Sequence, residues 1–192
     1  MDMDKAHRVL VLGGVRSGKS ELAERLVRSW DRGEVTYLAT GEARDEEMAL
    51  RIQRHRQRRP ATWRTWEGDP EDLPGAVRPL GGVLLLDCLT LWLSRLLLRT
   101  PAAEGDHEGV WQEAQGRILD LGRALLEAPA PGVRMVLVTN EVGFCPVPPN
   151  RLGRRFQELQ GRMNRLAAER ADRVVLVAAG IPLWIKGAGE EP

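Results

Sequence analysis

Residues 13–20 read Gly13-Gly14-Val15-Arg16-Ser17-Gly18-Lys19-Ser20 and match the spacing G-x-x-x-x-G-K-[S/T] in full. Glycines at these positions let a backbone curl until its N–H groups face phosphate oxygens, and a helix beginning at Lys19 adds the positive end of its dipole. In that arrangement Lys19 reaches the β and γ phosphates and Ser20 offers a hydroxyl to Mg²⁺. The chemistry implied is binding of a magnesium nucleoside triphosphate. Downstream, the apolar run Leu84-Leu85-Leu86 closes on Asp87. A carboxylate at such a strand end holds Mg²⁺ through its water shell, opposite the P-loop hydroxyl. An acid there also caps a following helix, and it is the P-loop that favours the metal role.

A third group lies between these two. Arg51, Arg54, Arg56, Arg58 and Arg59 surround His55 and Gln57 at the end of a helical segment whose start carries Glu42, Asp45, Glu46 and Glu47. Acids in the first turn and bases in the last complement the helix macrodipole, so a solvated, charge-complemented helix accounts for the pattern. The same pattern also suits a nucleophile. A neutral imidazole can attack phosphorus, with guanidinium groups stabilising departing pyrophosphate and favouring the uncharged ring. His7 and His107 lack such surroundings and are expected to be exposed.

Positioning these groups requires a scaffold, and the periodicity supplies one. Short β-branched or leucine-rich runs at Arg8–Leu12, Val35–Ala39, Val83–Asp87, Arg134–Thr139 and Arg173–Val177 read as strands, with Pro182–Ile185 as a candidate sixth. Helical segments at Lys19–Trp30, Asp45–Gln57, Leu89–Leu98, Val110–Ala128 and Leu152–Ala171 alternate with them. This predicts an α/β domain whose mostly parallel sheet has helices on both faces. In such a sheet ligands bind at the carboxyl ends of the strands, so the residues after Leu12, Ala39, Leu86 and Val138 should share one rim.

Length and composition narrow the function classes. The chain has 192 residues, 28 Lys+Arg against 27 Asp+Glu, and 43% hydrophobic residues. One domain spanning 1–192 is expected. The net charge of +1 lacks the basic excess of a dedicated nucleic-acid binder. The most lipid-like stretch, Val83–Leu98, is shorter than a bilayer span of about 20 residues and contains Asp87 and Arg95, so no membrane span is expected. Met1–Lys5 carries acids and is unlike a signal peptide, and Cys88 and Cys145 have no disulfide or zinc spacing. A cytoplasmic protein follows. Cys88, next to a buried strand, reads as an inert core thiol, and the tryptophans read as core or as a platform for a large ring.

Taken together, several segments resemble the bifunctional adenosylcobinamide kinase/adenosylcobinamide-phosphate guanylyltransferase family. They are the P-loop, Tyr37-Leu38-Ala39-Thr40-Gly41, Glu47 to Pro60 with Trp63-Arg64-Thr65, and Val138-Thr139-Asn140-Glu141-Val142-Gly143. To these are added Pro148-Pro149-Asn150-Arg151-Leu152 through Phe156, and Gly161-Arg162-Met163-Asn164. The likeness runs in order from about Arg8 to Gly187. It implies a P-loop, RecA-like fold and two reactions of adenosylcobalamin biosynthesis. Adenosylcobinamide is phosphorylated with ATP or GTP, and GMP is then transferred from GTP to adenosylcobinamide phosphate through a guanylylated histidine.

Carried over by position, that histidine is His55, with Lys19 as the other catalytic residue. Nucleotide contacts would come from Gly13 to Ser20, Ala39, Thr40, Gly41, Arg56, Gln57, Arg58, Arg59, Glu67 and Asp87, with Ser20 and Asp87 at Mg²⁺. The resemblance also implies a homo-oligomer, a trimer. Some relatives carry two adjacent histidines where this chain has Arg54-His55, and some carry Glu at position 87; the segment Phe144–Pro148 is richer in proline. Two other readings remain open at this stage. One is a P-loop small-molecule kinase without nucleotidyl transfer, and the other is a RecA-like nucleotide-dependent binding module.

Overall fold

The computed structural model describes residues 7–43 and 45–187, without the side chains of Glu47, Arg51 and Arg54. The acidic run Met1–Lys5 and two arginines of the 51–59 cluster therefore lie outside the described residues. The chain runs β1 (Arg8–Gly13), α1 (Lys19–Trp30), β2 (Val35–Ala39), α2 (Glu46–Arg58), β3 (Arg64–Glu67), α3 (Leu73–Val77) and β4 (Val83–Asp87). It continues through α4 (Leu89–Leu98), α5 (Glu108–Glu127), β5 (Arg134–Asn140), α6 (Arg151–Arg170), β6 (Arg173–Ala178) and β7 (Ile181–Lys186). The strands form one sheet in the order β3-β2-β4-β5-β1-β6-β7, parallel except for β7, which pairs antiparallel with β6.

Successive side chains of a strand point to opposite faces, and the central strands are buried on both. Leu10, Leu12, Leu84, Leu86, Met135 and Leu137 face one core, while Val9, Val11, Leu85, Val136 and Val138 face the other. The first core is closed by α3, α4, α5 and α6 through residues such as Leu73, Trp92, Leu96, Ile118, Leu125, Leu159 and Met163. The second is closed by α1 through Leu22, Ala23, Leu26, Val27 and Trp30. Helices thus cover both faces, as the alternation of strand and helix predicts. No helix among the described residues is long and apolar enough to cross a membrane.

Two elements depart from the sequence expectation. β3 is an edge strand whose four residues Arg64-Thr65-Trp66-Glu67 are exposed or half-buried, so it has no apolar alternation to read. Helix α3 is a single five-residue turn, Leu-Pro-Gly-Ala-Val, carrying two breakers. The tryptophans sort by burial: Trp92 and Trp111 are enclosed in the first core, and Trp63 is buried beside Arg28 with its Nε1 donating to Asp31 at 3.1 Å. His7 and His107 are exposed, His107 at the N-cap of α5.

Candidate active site

The register of the sheet brings the chemical groups to one level. Ala39 is paired with both Glu67 and Asp87, Asp87 with Val138, and Gly13 with both Asn140 and Val177. Every parallel strand therefore ends on the same rim, and the loop after β1 lies beside the ends of β5 and β6. This is where an open α/β sheet binds its ligands.

The loop from Gly13 to Ser20 curls tightly ahead of α1. Gly18 adopts φ +92° ahead of α1, a conformation that suits glycine, and Arg16 also takes a positive φ of 57°. Ser17 N donates to Gly14 O at 3.3 Å, and Gly180 N donates to Ser17 O at 2.9 Å, which ties the loop to the β6–β7 turn. Ser17 Oγ is buried with no hydrogen-bond partner among the described residues. A Cβ placed on Gly13 would lie 2.4 Å from Ser17 Oγ and 2.7 Å from Val177 O, so this backbone position admits only glycine unless the loop moves. Lys19 is buried and its Nζ donates to Gly14 O at 3.0 Å. Val15, by contrast, is exposed.

Across the rim, helix α2 brings His55 to the same place. The helix starts at Asp45, whose side chain accepts from Met48 N at 2.7 Å. Its last turn is tied down on three sides. Arg28 of α1 donates to Arg58 O at 2.8 Å, Arg58 pairs with Glu21 at 2.9 Å, and Arg59 lies over the Tyr37 ring, 3.5 Å from its centroid, while donating to His55 O. His55 Nδ1 consequently sits 3.2 Å from Arg58 Nη2 and 3.8 Å from Asp87 Oδ2. Asp87 Oδ2 also accepts from Tyr37 OH at 3.0 Å. Burial, and then the adjacent negative charge of Asp87, push the Tyr37 phenol far above its ordinary pKa, so Tyr37 remains a donor that fixes the carboxylate.

Lys19, Ser20, His55, Arg59, Asp87 and Asn140 all line one cavity of about 120 Å³, together with Tyr37, Gly41 and Cys88. An open groove of about 590 Å³ continues past Ala39, Gly41, Glu42, Arg56, Glu67 and Arg95, with Arg56 paired to Glu67. A further groove of about 550 Å³ is lined by Arg56, Arg59, Trp63 and Glu67. Most of the residues expected to form the site are thus gathered around one rim. Thr40 is committed differently: its hydroxyl donates to Cys88 O and accepts from Cys88 N, both at 2.7 Å, locking β2 to β4. Gln57 is exposed and lines none of these cavities. Cys88 is buried at the cavity wall, and burial followed by the Asp87 charge raises its thiol to about 11.

Beneath the rim lies a buried polar cluster that residue patterns alone did not assign. Thr139 Oγ1 donates to Asn164 Oδ1 at 2.7 Å, Gln160 Nε2 reaches both, and Asn164 Nδ2 donates to Asn140 O at 3.0 Å. Thr90 Oγ1 accepts from Asn140 N at 2.8 Å. The segment Val138–Gly143 and Asn164 of the Gly161–Asn164 segment, noted in the sequence only as marks of resemblance, meet here.

A P-loop at the carboxyl edge of a mostly parallel α/β sheet, with a carboxylate at the end of β4 two strands away, defines a nucleotide-binding protein whose fold resembles that of a P-loop ATPase. One solved structure with this likeness, a prototypical ATPase from the type III secretion system of pathogenic bacteria, superposes with a TM-score of 0.53 at 12% identity. It covers 88% of this chain and 50% of its own, and speaks to fold alone. The family described as cobinamide kinase / cobinamide phosphate guanyltransferase matches residues 9–185, and the chain belongs to it.

Among relatives, the bifunctional adenosylcobalamin biosynthesis protein CobP of Pseudomonas aeruginosa is 44% identical over 185 residues, covering 94% of this chain and 98% of its own length. The bifunctional adenosylcobalamin biosynthesis protein CobU of Escherichia coli K12 is 41% identical over 186 residues, covering 93% and 99%. The chain is accordingly a nucleotide-dependent enzyme of the cobinamide kinase and guanylyltransferase type.

Proposed function

We propose that one domain carries both steps around the single rim. In the first, the P-loop binds ATP or GTP and its γ-phosphoryl group passes to the hydroxyl of adenosylcobinamide. In the second, His55 attacks the α phosphorus of GTP, pyrophosphate leaves, and the guanylyl group passes from His55 to adenosylcobinamide phosphate. The observation that carries this reading is the shared cavity: His55 of α2 lines the same space as Lys19 and Ser20 of the P-loop and Asp87 of β4.

The roles follow from the chemistry of each side chain. The backbone from Gly13 to Gly18 supplies N–H donors, the buried Ser17 Oγ supplies a hydroxyl with no partner among the described residues, and Lys19 a positive charge, as a polyphosphate requires. Ser20 and Asp87 offer one hydroxyl and one carboxylate. Such a sparse donor set suits Mg²⁺, which keeps several waters and takes its remaining ligands from phosphate oxygens. Bound there, Mg²⁺ would neutralise charge developing on the phosphates.

For His55 to attack through Nε2, its hydrogen must reside on Nδ1. Arg58 Nη2, 3.2 Å from Nδ1, can only donate and so opposes this tautomer; attack through Nε2 requires Arg58 to give way and Nδ1–H to turn to Asp87 Oδ2, which lies 3.8 Å off and is fixed by Tyr37. Arg56 and Arg59 line the cavity and grooves where cations can meet departing pyrophosphate, with Ala39, Gly41 and Glu67 on the same walls, while Arg58 reaches His55 and Glu21 instead.

The reading also includes a homo-oligomer, for which the exposed apolar row Ile181, Leu183 and Ile185 on the edge strand β7 offers a surface. It places the enzyme in the cytoplasm, where the free thiols of Cys88 and Cys145 are ordinary. The test is a product assay with adenosylcobinamide, Mg²⁺ and ATP or GTP. Adenosylcobinamide phosphate should form with either nucleotide, and adenosyl-GDP-cobinamide only when GTP is present. Formation of the phosphate with no guanylylated product would leave a kinase alone.

A further inference from the structure

We infer that Asn140 is a substrate-contacting residue of the kinase step, its side-chain carbonyl accepting a hydrogen bond from the hydroxyl group that attacks the γ phosphorus. This rests on the reading of the site given above and adds to it the acceptor-alcohol contact.

Strand β5 lies between β1, which delivers the P-loop, and β4, which delivers Asp87. Asn140 is its last residue, paired with Gly13 and two residues beyond Val138, the partner of Asp87. A side chain here sits between the phosphate cradle and the carboxylate, and Asn140 lines the cavity shared by Lys19, Ser20, Asp87 and His55. A nucleophile aligned with the γ phosphorus must enter this same space.

Asn140 is half-buried on the cavity wall, and its largely covered Oδ1 has no donor among the described residues. Leaving a buried carbonyl unpaired costs about 1–3 kcal/mol, and native proteins rarely do so without a reason. The residue has not been left loose. Its N–H donates to Thr90 Oγ1 at 2.8 Å, and its C=O accepts from Asn164 Nδ2 at 3.0 Å. Asn164 is in turn held by Thr139 and Gln160. Four buried or half-buried polar side chains thus fix the backbone of a residue whose own side-chain oxygen is unsatisfied, which is how a pre-organised ligand contact is built.

The chemistry of that oxygen selects its partner. The phosphate chain presents only acceptor oxygens, which a carbonyl repels, so beside the cradle the contact is a donor, and the reaction itself brings O–H donors there. Two sources exist in a kinase site: the acceptor alcohol and a water on the metal. In the phosphorylation step, the alcohol oxygen forms a bond to the γ phosphorus as the bond to the β–γ bridging oxygen breaks, releasing the nucleoside diphosphate. The hydroxyl proton, oriented but not taken by the amide, ends on an oxygen of the transferred phosphoryl group. A loose transition state needs orientation of the alcohol more than a strong base, and an amide carbonyl provides it.

The test compares the two half-reactions in Asn140→Ala. Phosphorylation of adenosylcobinamide with γ-labelled ATP should lose roughly 10²–10³ in kcat/KM for the alcohol, the range for one well-placed polar contact. KM for ATP and the half-saturating Mg²⁺ concentration should stay within about threefold. Labelling of the protein by GTP carrying ³²P at the α phosphate should be unchanged, because that step uses no alcohol. Equal loss of both half-reactions, or a rise in the Mg²⁺ requirement, would overturn the proposal, the latter by assigning the contact to metal-bound water. Failure of the wild-type protein in both assays would instead overturn the functional reading itself. Asn140→Asp keeps the acceptor oxygen. It should recover part of the alcohol's KM, whereas Asn140→Leu, which keeps the bulk without the acceptor, should recover none; equal recovery by both would assign Asn140 to shaping the strand end and overturn the proposal.

Discussion

Two adjacent glycines of the P-loop should respond oppositely to the same substitution. At Gly13 an added Cβ meets Ser17 Oγ at 2.4 Å and Val177 O at 2.7 Å; at Gly14 nothing lies within 4 Å. Real Cβ atoms do not approach backbone oxygens this closely, so Gly13→Ala must push the loop away from β6 or turn Ser17 out of the cradle. Overpacking of this kind costs about 1–3 kcal/mol. At roughly 2–4 °C per kcal/mol for a chain of this size, melting should fall by several degrees.

The larger effect falls on nucleotide binding, since a displaced loop misaims its donors. Losing one hydrogen bond to a charged phosphate is worth about 1.5–3 kcal/mol, or roughly 10- to 100-fold in Kd. Gly14→Ala enters open space and should change stability by less than about 0.5 kcal/mol and affinity by less than threefold. Isothermal titration of both variants with GTP and Mg²⁺, beside thermal melts, makes the comparison. Equal affinities for the two variants would refute the cradle geometry.

Two further outcomes follow from buried charges. Arg155 is buried, donates to the carbonyls of Ala102, Ala103 and Gly105, and lies over the Trp111 ring. Arg155→Met should cost about 3–5 kcal/mol in urea denaturation by orphaning those carbonyls, whereas Arg165→Met on the exposed face of the same helix should cost almost nothing. Burial raises the pKa of Glu24 above its ordinary 4.5, an effect only partly offset by Arg58, so the folded state holds this proton more tightly than the unfolded chain. Stability is therefore lost as pH rises from 4.5 through the folded value. Glu24→Gln should melt higher than wild type at pH 7, with the difference vanishing near pH 4; a constant difference across that range would contradict the assignment.

Much of this architecture was legible in the residues, for identifiable reasons. Strands buried on both faces announce themselves as apolar runs, and β1, β2, β4, β5 and β6 each carry one. The P-loop is legible because only glycine fits Gly13 and Gly18, which leaves a fixed spacing in the chain. β3 and α3 were not legible: an exposed edge strand has no face to bury, and a turn containing Pro74 and Gly75 has no helical signature. In the site, Lys19, Asp87 and His55 could be singled out by type and context. Asn140, Tyr37 and the Thr90–Thr139–Gln160–Asn164 cluster could not, since their meaning lies in pairings between positions tens of residues apart. Resemblance marked some of these segments without saying what they do. Thr40 shows the opposite case, a rim residue whose hydroxyl the structure commits to the Cys88 backbone.

The central claim is that His55 carries the guanylyl group, and covalent labelling tests it most directly. Protein incubated with Mg²⁺ and GTP bearing ³²P at the α phosphate should retain label that survives alkali, is released by acid, and maps to the peptide containing His55. His55→Ala should retain none while still binding GTP. Label that persists in His55→Ala, or a wild-type protein that takes up no label under turnover conditions, would contradict the account.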